Sequence, residues 1–169
     1  MKNKFITVIN LSLAFLALFG CTGSPNSSVI LDPNFNIYTQ AQFSGIQEKD
    51  WNLISFFVDG RNSGFSRNTF ILEGFEGFFT LHFDEERISG IGAPNRYFAP
   101  YTIEKSSSIK ISVIASTLMA AFREPEKLKE HEYFNYLQHA NKWSIEEENL
   151  VLYSVLENGT EVKLIFSEN

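Results

Sequence analysis

The sequence predicts an α+β domain, mainly antiparallel β, arranged as a small β-sheet or barrel-like body with one packed helix at about residues 125–140. Three observations predict it. Phenylalanine occurs 17 times, and Phe suits the pleated, half-buried surface of a sheet. Several short segments alternate apolar and polar residues with the period of a strand. Asn158-Gly159 is a hairpin signal, because both residues accept positive φ.

Residues 51–58 read as the first strand, and the Gly, Asn and Asp of 59–64 read as a loop. Phe79, Leu81 and Phe83 share one face of the next strand. Asp84-Glu85-Glu86 turns the chain into Arg87-Ile88-Ser89-Gly90. Residues 108–114 alternate again, placing Ile109, Ile111 and Val113 on one face. In the helix, Pro125 suits a first helical position, and Glu124 and Glu126 suit the positive end of the dipole. Leu128, Phe134 and Leu137 bury its inner face, with Tyr133 and Ala140 at the margins. Ser144-Ile145 and residues 150–153 flank a turn at 146–149, and Asn158-Gly159 joins that strand to residues 162–166.

The N-terminus carries a different signal. Lys2 and Lys4 precede an apolar run from Phe5 to Phe19, too short for a comfortable transmembrane helix but suited to a signal-peptide core. The run ends in Leu18-Phe19-Gly20-Cys21, which resembles a lipobox, the site at which a cysteine is acylated and the chain cut before it. The expected organisation is a signal peptide at 1–20, a lipidated Cys21 with tether and a segment of open role at 21–50, and the domain at 51–169. Two or three acyl chains, each stabilised by about 0.8 kcal/mol per buried CH₂, hold a protein firmly at a membrane. The expected location is the cell envelope, on the periplasmic face or the cell surface.

Charge narrows the partners. Lys2 and Lys4 are the only charged residues before Cys21, so the remainder holds 12 basic against 20 acidic residues, a net charge of −8. A phosphate backbone repels such a domain, which argues against nucleic acid. The same charge disfavours docking onto anionic lipid, so attachment rests on the anchor. With Cys21 as its one cysteine, the chain has no internal disulfide.

Two stretches carry a family resemblance. The stretch from Gly90-Ile91-Gly92 through Pro94-Asn95-Arg96 to Tyr101 resembles the glycine-rich, asparagine-containing signature of the META domain, also called the HslJ-like family. Ile114-Ala115-Ser116-Thr117-Leu118-Met119-Ala120-Ala121 resembles the second signature of that family. The resemblance runs from Trp51 to Phe166 and implies an antiparallel β domain with one packed helix. It implies no reaction and supplies no catalytic residue. The family is linked to heat-shock response and novobiocin resistance. Its members often have cysteine where this chain has Pro94 and Ala121. The resemblance therefore implies that these two positions lie close, that the chain forgoes the ~2–4 kcal/mol of a cross-link, and that 90–101 is a fixed structural corner.

The expected role of Gly90, Gly92, Asn95, Tyr101, Ser116, Thr117 and Met119 is accordingly structural. The glycines are expected to allow positive φ in a tight turn, and Asn95 to bond neighbouring backbone there. His82, His131 and His139 lack metal spacing, since His131 and His139 stand eight apart. His131-Glu132 begins like a zinc-protease motif, but Asn135 replaces the second ligand. The acidic runs at 84–86 and 146–148 read as solvated turns rather than calcium loops. No metal and no cofactor is expected. The chain reads as a non-enzymatic, membrane-anchored envelope lipoprotein that acts by binding an envelope component, a protein partner among the options. The alternative is a small-molecule or peptide binder using an aromatic pocket of Phe78, Tyr97 and Tyr101.

Overall fold

Alternating side chains on β3, β5 and β10 turn one face of each strand into a largely aromatic interior, and the sheet curls around it. The computed structural model describes residues 43–104 and 107–169. The expectations for the signal peptide, Cys21 and the tether lie outside the described residues. The strands are β1 (Asp50–Val58), β2 (Arg61–Asn62), β3 (Thr80–Phe83), β4 (Arg87–Ile91), β5 (Arg96–Ile103), β6 (Ile109–Ile111), β7 (Ala115–Ser116), β8 (Ala140–Glu146), β9 (Asn149–Val155) and β10 (Glu161–Glu168). Two helices interrupt them, α1 (Arg67–Leu72) and α2 (Glu130–Gln138).

The sheet runs β6-β5-β4-β3-β1-β10-β9-β8, and its pairings are antiparallel. Its two ends meet where Ser108 bridges Lys142 and the Trp143 N–H donates to the Ser107 carbonyl at 2.8 Å. The result is a nearly closed barrel. Small β2 pairs with β1, and β7 pairs with β5.

Leu81 and Phe83 on β3 form the inward row that the alternation predicts, and Tyr97, Ala99 and Tyr101 on β5 and Val162, Leu164 and Phe166 on β10 form two more, all buried. Aromatic rings fill the barrel. Phe43 meets Phe83 edge-on at 5.3 Å and Trp143 at 4.9 Å. Edge-on pairs set a positive ring edge against a negative face, a gain beyond the area buried. Phe43 and Ile46 are buried, so the chain joins this core before β1, ahead of the boundary expected at residue 51. Helix α2 packs Tyr133 and Leu137 against the interior.

Three expectations change. The helix begins at Glu130, not near residue 125. Glu132 reaches back so that its Oε2 accepts the Lys129 N–H at 2.8 Å, which fixes the start. Pro125 and Leu128 are buried in the non-helical approach. Ala140 belongs to β8 rather than to the helix. On β6 the alternation stops at Ile111, and Val113 is 77% exposed because the chain leaves the sheet there. Helix α1 gave no periodic signal, since Phe70 is its one buried residue.

The turns follow two patterns. Asn158 Oδ1 accepts the Thr160 N–H at 3.0 Å and Gly159 takes φ +84°, closing β9 onto β10. Between β8 and β9, Glu147 and Glu148 both take positive φ, 49° and 70°. This is the twist a two-residue hairpin demands, met here without glycine.

Candidate functional site

Two regions matter: the corner built by the two signatures, and a groove over the outer face of the sheet.

At the corner, β4 ends at Ile91, residues 92–95 turn, and β5 begins at Arg96. The Gly92 N–H donates to the Asn95 carbonyl at 2.7 Å, closing the turn. The N–H groups of Ala93 and Asn95 point elsewhere and donate to Oε1 of Glu130, at 2.6 and 2.7 Å. The Asn95 amide donates to Glu130 Oε2 at 2.6 Å and to the Met119 carbonyl at 3.2 Å. Its oxygen accepts from the Met119 N–H at 2.6 Å and from Thr117 Oγ1 at 2.8 Å. All four hydrogen-bonding sites of the amide are therefore filled. Contrary to expectation, the Asn95 side chain does not bond its own turn. It joins the first signature to the second and both to the start of α2.

The glycines also serve another purpose than expected. Neither Gly90 nor Gly92 takes positive φ. A Cβ on Gly92 would stand 2.6 Å from Glu130 Oε1 and 2.7 Å from Cζ of Phe134. A Cβ on Gly90 would collide with the Thr80 carbonyl and lie 2.9 Å from Cε1 of Tyr97. The bare Gly90 backbone lets its cross-strand partner Tyr97 lie across it. The Tyr97 hydroxyl then donates to the Thr80 carbonyl at 2.8 Å, and the Tyr133 hydroxyl donates to the same oxygen at 3.0 Å. Burial pushes the pKa of both phenols above the ordinary tyrosine range.

Tyr101 sits at the other end of β5, buried, donating to the Asp84 carbonyl at 2.7 Å and accepting from Gln47 Nε2 at 2.7 Å. Ser116 lies in β7 opposite Tyr97. The Met119 side chain is exposed, and its backbone makes the bonds. Tyr97 and Tyr101 are core residues, 3% and 8% exposed, so an open aromatic pocket of Phe78, Tyr97 and Tyr101 does not form. Glu130 escaped sequence reasoning. Two turn N–H groups and a side-chain amide needed an acceptor, but nothing in the sequence says which of the many glutamates supplies it.

The groove, about 1060 Å³, crosses the outward faces of β1, β3, β4 and β5. Asn52, Thr80, His82, Ser89, Arg96 and Phe98 are among its lining. Arg67 and Ile71 of α1 bound one side, and residues 167–169 another. Across its floor Asp50, His82, Ser89 and Phe98 form one cross-strand row. His82 Nδ1 lies 3.0 Å from Asp50 Oδ1, while its Nε2 faces Glu48 Oε2 at 3.9 Å. Among the described residues no side-chain hydrogen bond joins Ser89 to His82, which are ladder partners, so the row lacks the nucleophile–base contact of a hydrolase triad.

The remaining candidates settle into local roles. His131 is exposed, and His139 Nδ1 lies 2.9 Å from the Asn135 carbonyl. Asp84 Oδ1 accepts the N–H groups of Glu86 and Arg87, at 2.9 and 2.7 Å, and Oδ2 pairs with Arg87 Nε at 2.9 Å. Its carboxyl is held below the usual range, first by the Glu86 N–H. Among the described residues no group of three or more His, Cys, Asp or Glu side chains is placed to hold a metal ion.

A nearly closed antiparallel barrel, with one helix hydrogen-bonded to a glycine-rich corner, defines the structural class. The META domain model matches residues 44–168, and the chain belongs to that family. Among solved structures, a protein from Burkholderia xenovorans is 19% identical with a TM-score of 0.56, over 87% of this chain and 97% of that one. A DUF4847 family protein from Bacteroides vulgatus is 15% identical with a TM-score of 0.50, over 73% of this chain and 94% of the other. At these identities the likeness is one of fold. No curated protein matches the sequence.

Proposed function

We propose that this META-domain protein is a lipid-anchored, non-enzymatic component of a cell envelope and that its domain acts by binding another envelope component. The lipobox-like Leu18-Phe19-Gly20-Cys21 after an apolar run supports the anchor. The family's links to heat shock and novobiocin resistance support a role under envelope stress. The observation that carries the binding reading is the groove of about 1060 Å³ on the outer face of the barrel. Its floor is made of interior strands, so its shape is fixed by the sheet. A preformed concavity on a rigid scaffold that carries a few fixed polar groups is the usual form of a recognition site.

Cross-linking in intact membranes, followed by purification of the full chain, tests this reading. The expected result is a reproducible envelope adduct with the parent chain that is lost with Cys21→Ser. A chain found soluble, with no adduct from membranes, would overturn it.

A further inference from the structure

Among the described residues, four of the eight large apolar side chains left exposed lie within residues 113–122: Val113, Leu118, Met119 and Phe122. Scattered singly on a surface such residues mean little, but a cluster marks a contact. Leu118 is 99% exposed and Phe122 wholly so, and both project from the fold. From Ile111 to Phe122 the chain holds no charged residue. Arg123 follows, its guanidinium 4.4 Å from the Phe75 ring centroid, which sets Phe122 beside the turn after α1. Leu72, the last residue of that helix, is exposed as well. The acids that adjoin the cluster in sequence are Glu73 and Glu124, and Lys129 pairs with Glu124 at 3.5 Å.

The backbone under the cluster is fixed. The Met119 N–H and carbonyl both bond the Asn95 side chain, at 2.6 and 3.2 Å, and the Thr117 N–H donates to the Arg96 carbonyl at 3.0 Å. The apolar side chains are thus presented at little ordering cost. They also mark one end of the barrel. Strand β4 runs from the acidic turn at 84–86 to the corner at 92–95 that holds Met119. The turn with Glu147 and Glu148 lies at the acidic end too. Trp51 of β1 pairs with Leu81 of β3 on one side and with Glu168 of β10 on the other, and Phe166 of β10 pairs with Leu150 of β9.

A protein partner would need hollows shaped for side chains that project this far, whereas acyl chains yield to any apolar shape. A second copy would also set a net charge of −8 against another. The anchor keeps a bilayer within reach. Cys21 and Phe43 stand 22 positions apart, at most roughly 75 Å of chain, against about 30 Å for the nine-residue β1. So long a tether fixes no orientation, and the bilayer stays at high effective concentration beside every face. The face that gains most apolar burial then sets the orientation.

We infer that residues 118–122 are a membrane-docking surface, with Leu118 and Phe122 inserted into the interfacial layer of the bilayer that holds the anchor and the acidic turns directed away from it. This rests on the anchor proposed above and adds the orientation of the domain. Insertion of this kind draws on apolar area, so it needs no anionic lipid.

The test uses the full chain, purified from membranes and reconstituted in vesicles of phosphatidylcholine. A nitrobenzoxadiazole label is placed at Leu118→Cys, at Phe122→Cys or, at the acidic end, at Glu85→Cys. Acylated Cys21 takes no label, and the parent chain treated alike checks this. We expect blue-shifted emission at 118 and 122, and quenching by doxyl-labelled phosphatidylcholine at least about threefold stronger there than at 85. The signal should persist in about 0.5 M salt, because no charge attraction sustains it. All three positions are exposed, so thermal midpoints should match the parent's. Equal quenching at the three positions, a blue shift without quenching by the lipid (cover by protein, a second copy included), or a signal abolished by salt would each overturn the inference. A chain that floats with the vesicles but shows no quenching at 118 or 122 defeats the docking surface alone. A chain that does not float with them defeats the anchor and the docking surface together.

Discussion

Glu130, the first residue of α2, accepts the side-chain amide of Asn95 at 2.6 Å and the Asn95 backbone N–H at 2.7 Å. Through this pair the glycine-rich corner, the 115–119 segment and the helix become one hydrogen-bonded unit. Asn95 is 5% exposed, so its bonds have little competition from water.

Removing either partner strands the other. Asn95→Ala leaves the Met119 N–H and part of the Glu130 carboxylate unanswered and should cost about 2–3 kcal/mol. Glu130→Ala should cost a similar amount, and Glu130→Gln less, because one acceptor survives. Urea unfolding measures each. An Asn95→Ala midpoint equal to the parent's would remove the corner from the stability account.

The glycines should separate by cause. Gly90→Ala drives a methyl into the Thr80 backbone and the Tyr97 ring, neither of which has room to yield. Overpacking of this kind costs roughly 1–3 kcal/mol. Gly60 takes φ +73° and has no atom within 4 Å of where a methyl would stand, so Gly60→Ala carries conformational strain alone, about 1 kcal/mol. Thermal unfolding should rank Gly90→Ala as the more damaging. The reverse order would mean that the strand face at Gly90 yields more easily than its close contacts imply.

Alkaline pH should expose the buried tyrosines. Burial raises Tyr97 well above the ordinary 10.0, helped by Tyr133, and burial raises Tyr133 against the opposing effects of Tyr97 and Arg67. In the unfolded chain both phenols ionise near the ordinary value while the folded chain holds their protons. The unfolded state therefore binds fewer protons at high pH, and stability falls as pH climbs past 10.0. Below that pH the contribution is complete. A Tyr97→Phe, Tyr133→Phe double variant should show a flatter decline between about pH 9 and about pH 11 in urea unfolding. Parallel curves for variant and parent would rule these phenols out as the source.

The anchor predicts a chemical result. Cys21→Ser cannot form the thioether and should carry no fatty acid in metabolic labelling. Equal labelling of variant and parent would end the lipoprotein reading.

Strand alternation made most of the sheet legible. The rows Leu81–Phe83 and Val162–Leu164–Phe166 could be read directly, because one face of each is buried and the other wet. Local signals also misled. Pro125 among glutamates looks like a helix start, yet the start is set by the Glu132 carboxylate on the Lys129 N–H. Gly90 and Gly92 look like turn glycines because that is the commoner reason for glycine, whereas here long-range packing excludes a side chain. The Asn95–Glu130 pair spans 35 residues, and the groove gathers side chains from β1, β3, β4, β5, β10 and α1. Neither leaves a periodic trace along the chain.

The most direct test of the binding role places a photo-crosslinking phenylalanine analogue at Phe98, in the groove, and separately at Val155, exposed on β9 outside it. Irradiation of intact cells should yield a discrete envelope adduct from position 98 and none of that mass from position 155. The same adduct from both positions, or none from position 98, would contradict a function centred on the groove.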